Sequence, residues 1–509
     1  MSFDVVIRGG RVLDGTGAPP YRADVAVRGD RIAAVGRLEA AEAATVIDAA
    51  GRFVAPGFVD CHAHGDAAVF DPAVQRAALR QGVTTLVLGQ DGLSYAPGSA
   101  ATVAYASRYF AAVNGPSRFD GPLTVGELLE SYDRAVALNT AYLLPHGTIR
   151  YDVMGPEPGP ASAGDLAAMV RHVERGLAEG AAGLSSGLEY LPGRYADAAE
   201  LAALCRPLGG LPYVTHMRAY GAGAAVGMAE VAEIAARSGA AVHVSHLHGP
   251  ADVLLPLVED ALARDVDLTF DTYPYLRGNT ILAMVVLPPS VPAAETGRAL
   301  ELIAGADLDE WWGAMEATWP RLTVSHAPGM EWTEGLTLVE AAERAGTKPA
   351  ELCRRLLIET HLEAGVVTAR PDEGPEGEES VRRMLRHPSH TGGSDAIYVG
   401  GHPHPRGFGA FARFLGRHVR ELGDWTWEQA VVHLAGHPAR RFGLADRGLV
   451  RVGCAADLVV IDPATVGDRA TYAEPRTPAA GVDDVLVSGV PVLAAGELTG
   501  AAPGRALHP

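Results

Sequence analysis

The sequence predicts an α/β protein: a TIM-like (β/α)8 barrel, with a small β-sandwich domain built from both termini and an insertion before the last barrel strand. Three observations carry that expectation. Apolar strand-like runs alternate with Ala-rich amphipathic stretches through the middle of the chain. Both ends share a different texture of short β-type runs. One interval between strands is far too long for a single helix.

At the N-terminal end, Asp4 to Ile7, Ala23 to Val27, Ile32 to Val35 and Thr45 to Ile47 are short β-type runs separated by Gly and Asp turns. The same texture returns in Leu449 to Val452, Asp457 to Ile461 and Val485 to Val487. Chain ends commonly lie close together, so residues 1–55 and 441–509 are expected to complete one sheet domain. Between them, candidate strands end near His62, Gly89, Pro145, Ser186, His216, His246, Asp271 and Asp395. Such a series fits a closed parallel barrel of roughly 250 residues plus insertions, here residues 56–440. Ala163 to Ala178 and Ala224 to Arg237 carry apolar positions at three and four spacing and belong to the outer helical ring. The long interval from Asp271 to Asp395 predicts an inserted subdomain at about 290–370, on the face where insertions often act as lids.

A chain of 509 residues with 42 basic and 61 acidic side chains has a net charge of −19. That balance argues against nucleic acid or an anionic membrane surface as a partner. Cys61, Cys205, Cys353 and Cys454 are far apart and read as free thiols of a reducing compartment. With no secretory signal pattern and no uncharged run of ~18 apolar residues, a cytoplasmic protein is expected. A homo-oligomer remains compatible with all of this.

The stretch VAPGFVDCHAHGD, Val54 to Asp66, is the chemical centre of the sequence. Alternate side chains on a strand share a face, so His62 and His64 can offer both imidazoles to one cation. The tripeptide alone fits a solvent-facing pair equally well. However, His62, His64, Asp91, His146, Glu189, His216, His246, Tyr273 and Asp395 all fall at or just past the end of a predicted strand. Catalytic groups collect on that rim of a barrel, and so many imidazoles and carboxylates there point to a metal site.

The ordered series GFVDCHAHGD, LVLGQDGLSYAP, HGTIR, GLSSGLEYLPGRYA, YVTHMR, HVSHLHG, DTYPY, GGSDA and HPRGFGAF resembles the amidohydrolase superfamily, and within it the D-aminoacylases, end to end. The resemblance implies metal-dependent hydrolysis of N-acyl-D-amino acids, with one or two zinc ions, or cobalt or manganese, as cofactor. It makes His62 and His64 ligands of a weaker metal, His216 and His246 ligands of a tighter zinc, and Asp395 the catalytic carboxylate and a ligand. Tyr190, Tyr273 and Arg406 resemble residues that bind the substrate, with Arg406 on the amino-acid carboxylate.

Two positions depart from the family pattern. Where a cysteine is usual after the second strand, this chain has Asp91, whose two oxygens can bridge two metals and are harder than a thiolate. An Asp-Gly turn by itself would also explain that residue. His248 stands where a substrate-binding lysine is usual, and imidazole, partly charged near neutral pH, should grip a carboxylate less well. Asn279 falls where a small hydroxyl residue is frequent. The only lysine, Lys348, precedes a proline between two predicted helices, a surface setting that leaves no carbamylated-lysine bridge and so disfavours the cyclic-amide branch.

Three functions are therefore distinguished. The leading one is hydrolysis of N-acyl-D-amino acids. The alternative is an amidohydrolase acting on another linear or cyclic amide, in a biosynthetic pathway. A barrel that only binds or assembles is disfavoured by the intact His62, His64, His216, His246 and Asp395.

Overall fold

Eight short parallel strands close a barrel in the computed structural model, which describes residues 2–38, 42–305 and 308–509. They are β1 (Phe58–Asp60), β2 (Val83–Leu88), β3 (Asn139–Tyr142, continued by Leu144–Pro145), β4 (Leu184–Gly187), β5 (Tyr213–His216), β6 (Val242–Val244), β7 (Leu268–Asp271) and β8 (His390–Thr391). Each pairs in parallel with the next. Closure comes just beyond β1 and β8. The Cys61 amide donates to the Gly392 carbonyl at 3.2 Å, the Asp395 amide donates to the His62 carbonyl at 2.8 Å, and Ala63–His64 pairs with Ala396–Ile397. The Asp60 carboxylate fastens the same seam by accepting the Ser394 amide at 2.9 Å and the Ser394 hydroxyl.

The strands are buried on both faces, which is why runs such as VTTLVL in β2 are nearly continuously apolar. Val59, Cys61, Val87, Ala141, Leu143, Ala182 and Val214 pack together inside the barrel, and Phe442 and Leu444 plug its floor. His243 belongs to this interior. Its ring lies 5.8 Å from Phe442 and its Nε2 lies 3.1 Å from Asp271. Outside, Ala163–Ala178 starts at a capping box between Ser162 and Asp165 and buries Met169 and Val173 on the strands.

Two sheets flank the barrel. Ser2–Arg8 lies between Asp24–Arg28 and Glu42–Asp48 in a four-stranded sheet, with Arg31–Gly36 at its edge. In the second sheet the two ends of the chain meet, because Phe53–Pro56 pairs antiparallel with Leu458–Ile461. Val5, Ile7, Val25, Val54, Leu458 and Leu486 fill the space between the sheets. Phe53–Pro56 passes straight into β1 through Gly57, where a Cβ would meet Thr84 Oγ1 at 2.1 Å, so only glycine fits.

Between β7 and β8 the chain leaves the barrel. Arg277–Ile281, Gly365–Ala369 and Leu322–His326 form an antiparallel sheet with Gly365–Ala369 in the middle. Helices including Pro349–Glu359 cover it, and Leu282, Trp312, Trp319, Val324, Leu356 and Val366 contribute to a core of its own. This unit starts at Arg277, before the expected 290, since its first strand pairs only with residues far ahead. Among the described residues, no helix is long and apolar enough to cross a membrane.

Candidate metal centre

The ends of five barrel strands bring six side chains to one spot. His62 and His64 follow β1, and both are buried. Asp91 comes from the Gln90–Gly92 turn after β2, His216 ends β5, His246 lies two residues past β6, and Asp395 lies beyond β8. Asp91, His246 and Asp395 have φ of 55°, 35° and 50°, left-handed values that cost about 1–3 kcal/mol each for residues other than glycine. Backbone contacts hold two of them there: the Asp395 amide donates to His62, and the His246 amide donates to Asp271 Oδ1 at 3.0 Å.

Asp91 is the shared member. Its Oδ1 is 3.6 Å from His62 Nε2, while its Oδ2 is 3.6 Å from His64 Nε2, 3.4 Å from His216 Nδ1 and 3.7 Å from His246 Nε2. Asp395 Oδ1 adds a second carboxylate at 3.6 Å from His62 Nε2 and 3.4 Å from His64 Nε2. These separations are long for hydrogen bonds. Donors arranged tetrahedrally around an ion at about 2.0–2.1 Å would stand about 3.3 Å apart, close to what is found. His62 Nε2, His216 Nδ1 and Asp91 Oδ1 are buried without a hydrogen-bond partner, a costly state that a cation relieves. Two donor triads result, His62–His64–Asp91 and Asp91–His216–His246.

The cage draws positive charge. Burial opposes protonation of His64, but Asp395 and Asp91 outweigh it and push that imidazole up to about 10. Asp91 and Glu189 do the same to His216, also to about 10. In return, the surrounding imidazoles overcome burial and hold Asp91 well below the usual carboxylate range. An entering cation replaces those protons.

A second layer orients the rings. His64 Nδ1 donates to Asn114 Oδ1 at 3.0 Å, and His216 Nε2 donates to Glu189 Oε2 at 2.8 Å, leaving the opposite nitrogens to face Asp91. Spacing alone gave no hint of Asn114, which arrives on the short helix Ala111–Asn114. Glu189 was visible at its strand end, but not as a partner of His216.

Arg406 is completely buried at the start of the helix Arg406–Arg413, with Nη1 2.8 Å from Asp395 Oδ2 and Cζ 4.5 Å above the Tyr273 ring. Burial would raise the Asp395 carboxyl, but Arg406 foremost holds it below its ordinary value. Arg406 Nε and Asn279 Nδ2 are buried donors without a hydrogen bond. Tyr190 stands 5.0 Å from the His216 ring and its hydroxyl meets that of Thr280 at 3.0 Å. His248 Nδ1 donates to the His246 carbonyl at 2.8 Å while its ring stacks on Tyr220 at 4.7 Å. Burial pushes its pKa down to about 3, so His248 is neutral at physiological pH, not partly charged as its residue type suggested. His146 lies outside both triads, with Nε2 2.8 Å from Glu200. Lys348 is exposed at the N-cap of Pro349–Glu359, within the inserted unit.

Four imidazoles and two aspartates at the carboxyl rim of a parallel barrel form a cluster that could hold a metal ion, the arrangement of a metal-dependent hydrolase. Residues 45–493 match the model of the Amidohydrolase family, and the chain belongs to that family, in its D-aminoacylase branch. D-aminoacylase from Alcaligenes xylosoxydans xylosoxydans is 35% identical over 515 residues, spanning 99% of this chain and 97% of that protein. N-acyl-D-glutamate deacylase from the same organism is 36% identical, spanning 96% of this chain and 93% of its own. The structure of N-acyl-D-glutamate deacylase from Bordetella bronchiseptica, complexed with zinc and a phosphonate mimic of the reaction's tetrahedral intermediate, has a TM-score of 0.85 at 32% identity, with 100% of both chains covered.

Proposed function

We propose that this chain hydrolyses the amide bond of N-acyl-D-amino acids, releasing a carboxylate and a free D-amino acid. In this reading one or two divalent ions, zinc first with cobalt or manganese as substitutes, are held by His62, His64, Asp91, His216, His246 and Asp395. The convergence of unpaired buried imidazole nitrogens on Asp91 is the observation that carries it. When bound there, such an ion lowers the pKa of water from 15.7 to about 7 and polarises a carbonyl. Asp395, kept ionised by Arg406, accepts the proton of the attacking water at Oδ1 and passes it to the leaving nitrogen, base first and acid second. Arg406 Nε and Asn279 Nδ2 supply free donors for the α-carboxylate, beside Tyr273 and Tyr190.

His248 favours keeping a second reading, another linear or cyclic amide, because an uncharged ring there adds no cation for a carboxylate. We also read the chain as a β-sandwich domain from residues 1–55 and 441–509, a catalytic barrel from 56–440 and an inserted subdomain covering the rim. A small-molecule substrate fits the net charge of −19, and the buried free thiols fit the cytoplasm. The test is a hydrolysis screen of N-acetyl and longer N-acyl amino acids in both D and L forms, with added zinc, cobalt and manganese. Turnover of D substrates supports the first reading; turnover confined to amides without an α-carboxylate replaces it with the second.

A further inference from the structure

The chain places one carboxylate, that of Asp271 at the end of β7, where it touches both halves of the metal centre from below. Asp271 is fully buried. Its Oδ1 accepts the backbone amide of His246 at 3.0 Å. Its Oδ2 lies 3.1 Å from His243 Nε2 and 3.5 Å from His62 Nδ1. His243 Nδ1 in turn sits 2.8 Å from the Thr269 hydroxyl. One assignment of protons fits this geometry: Thr269 donates to His243 Nδ1, His243 Nε2–H donates to Asp271, and His62 Nδ1–H faces the same oxygen at 3.5 Å.

That assignment leaves His62 Nε2 with a lone pair turned toward Asp91 and Asp395, as ligation requires. The fit extends to β8. A Cβ at Gly393 would stand 2.7 Å from Asp271 Oδ1, so glycine at that position lets the strand that leads to Asp395 close against the carboxylate.

We propose that Asp271, backed by His243, is a positioning residue for the metal centre: it fixes the tautomer of His62 and holds the left-handed backbone of His246. One carboxylate therefore serves a ligand from each donor triad, Oδ1 through the His246 amide and Oδ2 through His62. The inference rests on the metal reading above.

Asp271→Asn separates this role from packing. The variant is isosteric, and its carbonyl oxygen still accepts the His246 amide. Its NH2 group now faces both His243 Nε2 and His62 Nδ1, which must become acceptors: the His243 proton moves to Nδ1, toward the Thr269 hydroxyl, and the His62 proton moves to Nε2 and blocks ligation. The measurements are metal per chain by mass spectrometry, titration of the metal-free protein with zinc, and the d–d spectrum of the cobalt-loaded protein. Affinity for zinc should fall about 10–100-fold and the cobalt spectrum should change, while the thermal midpoint of the metal-free protein stays where it was. Wild-type affinity with an unchanged cobalt spectrum in Asp271→Asn overturns the inference and leaves the metal reading standing. Wild-type protein that binds no ion overturns both. Should the variant fail to fold, 15N-histidine spectra of the zinc-loaded wild type decide: His62 bound through Nε2 with a protonated Nδ1 supports the role, and His62 bound through Nδ1 rejects it.

Discussion

Nη1 of Arg406 lies 2.8 Å from Oδ2 of Asp395, so the carboxylate that faces His62 and His64 through one oxygen is neutralised through the other. The arrangement gives Asp395 a fixed orientation and keeps it ionised. Asp395→Asn preserves the shape but cannot accept a proton, so kcat should fall 10²–10⁴-fold while most of the metal stays bound. Steady-state kinetics with metal analysis check this, and a loss below about tenfold would remove Asp395 from the proton transfer.

Arg406 itself has two partners in the proposed reaction, Asp395 and the substrate carboxylate. Arg406→Lys replaces a planar fork by a point charge. KM should rise roughly 10–100-fold for substrates with a free α-carboxylate, and much less for the corresponding amides, because a charge-assisted hydrogen bond contributes about 1.5–3 kcal/mol. Equal losses on both substrates would mean that Arg406 serves Asp395 alone.

The barrel was legible because polar residues interrupt apolar runs at strand ends, and those interruptions are where loops meet the rim. The inward turn of His243 was not, since strands buried on both faces carry no alternation to tell wall from interior. Asp271 closed a candidate strand in DTYPY, yet sequence alone gave no sign that it reaches under both His62 and His246. The start of the inserted unit at Arg277 was hidden for a different reason: RGNTI becomes a strand only by pairing with Gly365–Ala369, far along the chain. The imidazoles and carboxylates that meet at the rim could be read from the sequence; the proton on each ring is decided by second-layer partners such as Asn114 and Glu189.

Behind β8, His433 donates through Nδ1 to the His390 carbonyl at 2.8 Å and stacks on Trp425 at 4.7 Å. Burial foremost, with His437 nearby, pushes His433 down to about 4. The unfolded chain, with a histidine pKa near 6.5, then binds more protons than the folded one between about pH 6.5 and 4. The contribution of this group is intact above pH 6.5 and is lost as pH falls, by about 2 kcal/mol at pH 5. Urea unfolding of wild type and His433→Gln at pH 7.5 and pH 5 should show the wild type losing that much more than the variant. Parallel losses would contradict the sign.

In the proposed reading, Asp91 decides what kind of metal centre the chain builds. Where the family resemblance leads one to expect a thiolate, both oxygens of Asp91 face imidazoles, Oδ1 toward His62 and Oδ2 toward His64, His216 and His246. A centre of nitrogen and oxygen donors tolerates harder ions better than one containing sulfur. Asp91→Ala should lower metal content and activity together, and Asp91→Cys should restore binding with a shift toward zinc. The decisive variant is Asp91→Asn, which keeps the turn propensity and the left-handed backbone but removes the charge shared by both triads. If Asp91 were only a turn residue, that variant would be nearly silent. As the shared ligand, it should lose at least one ion per chain by mass spectrometry, and retention of full metal content and activity would leave the centre to the histidines and Asp395.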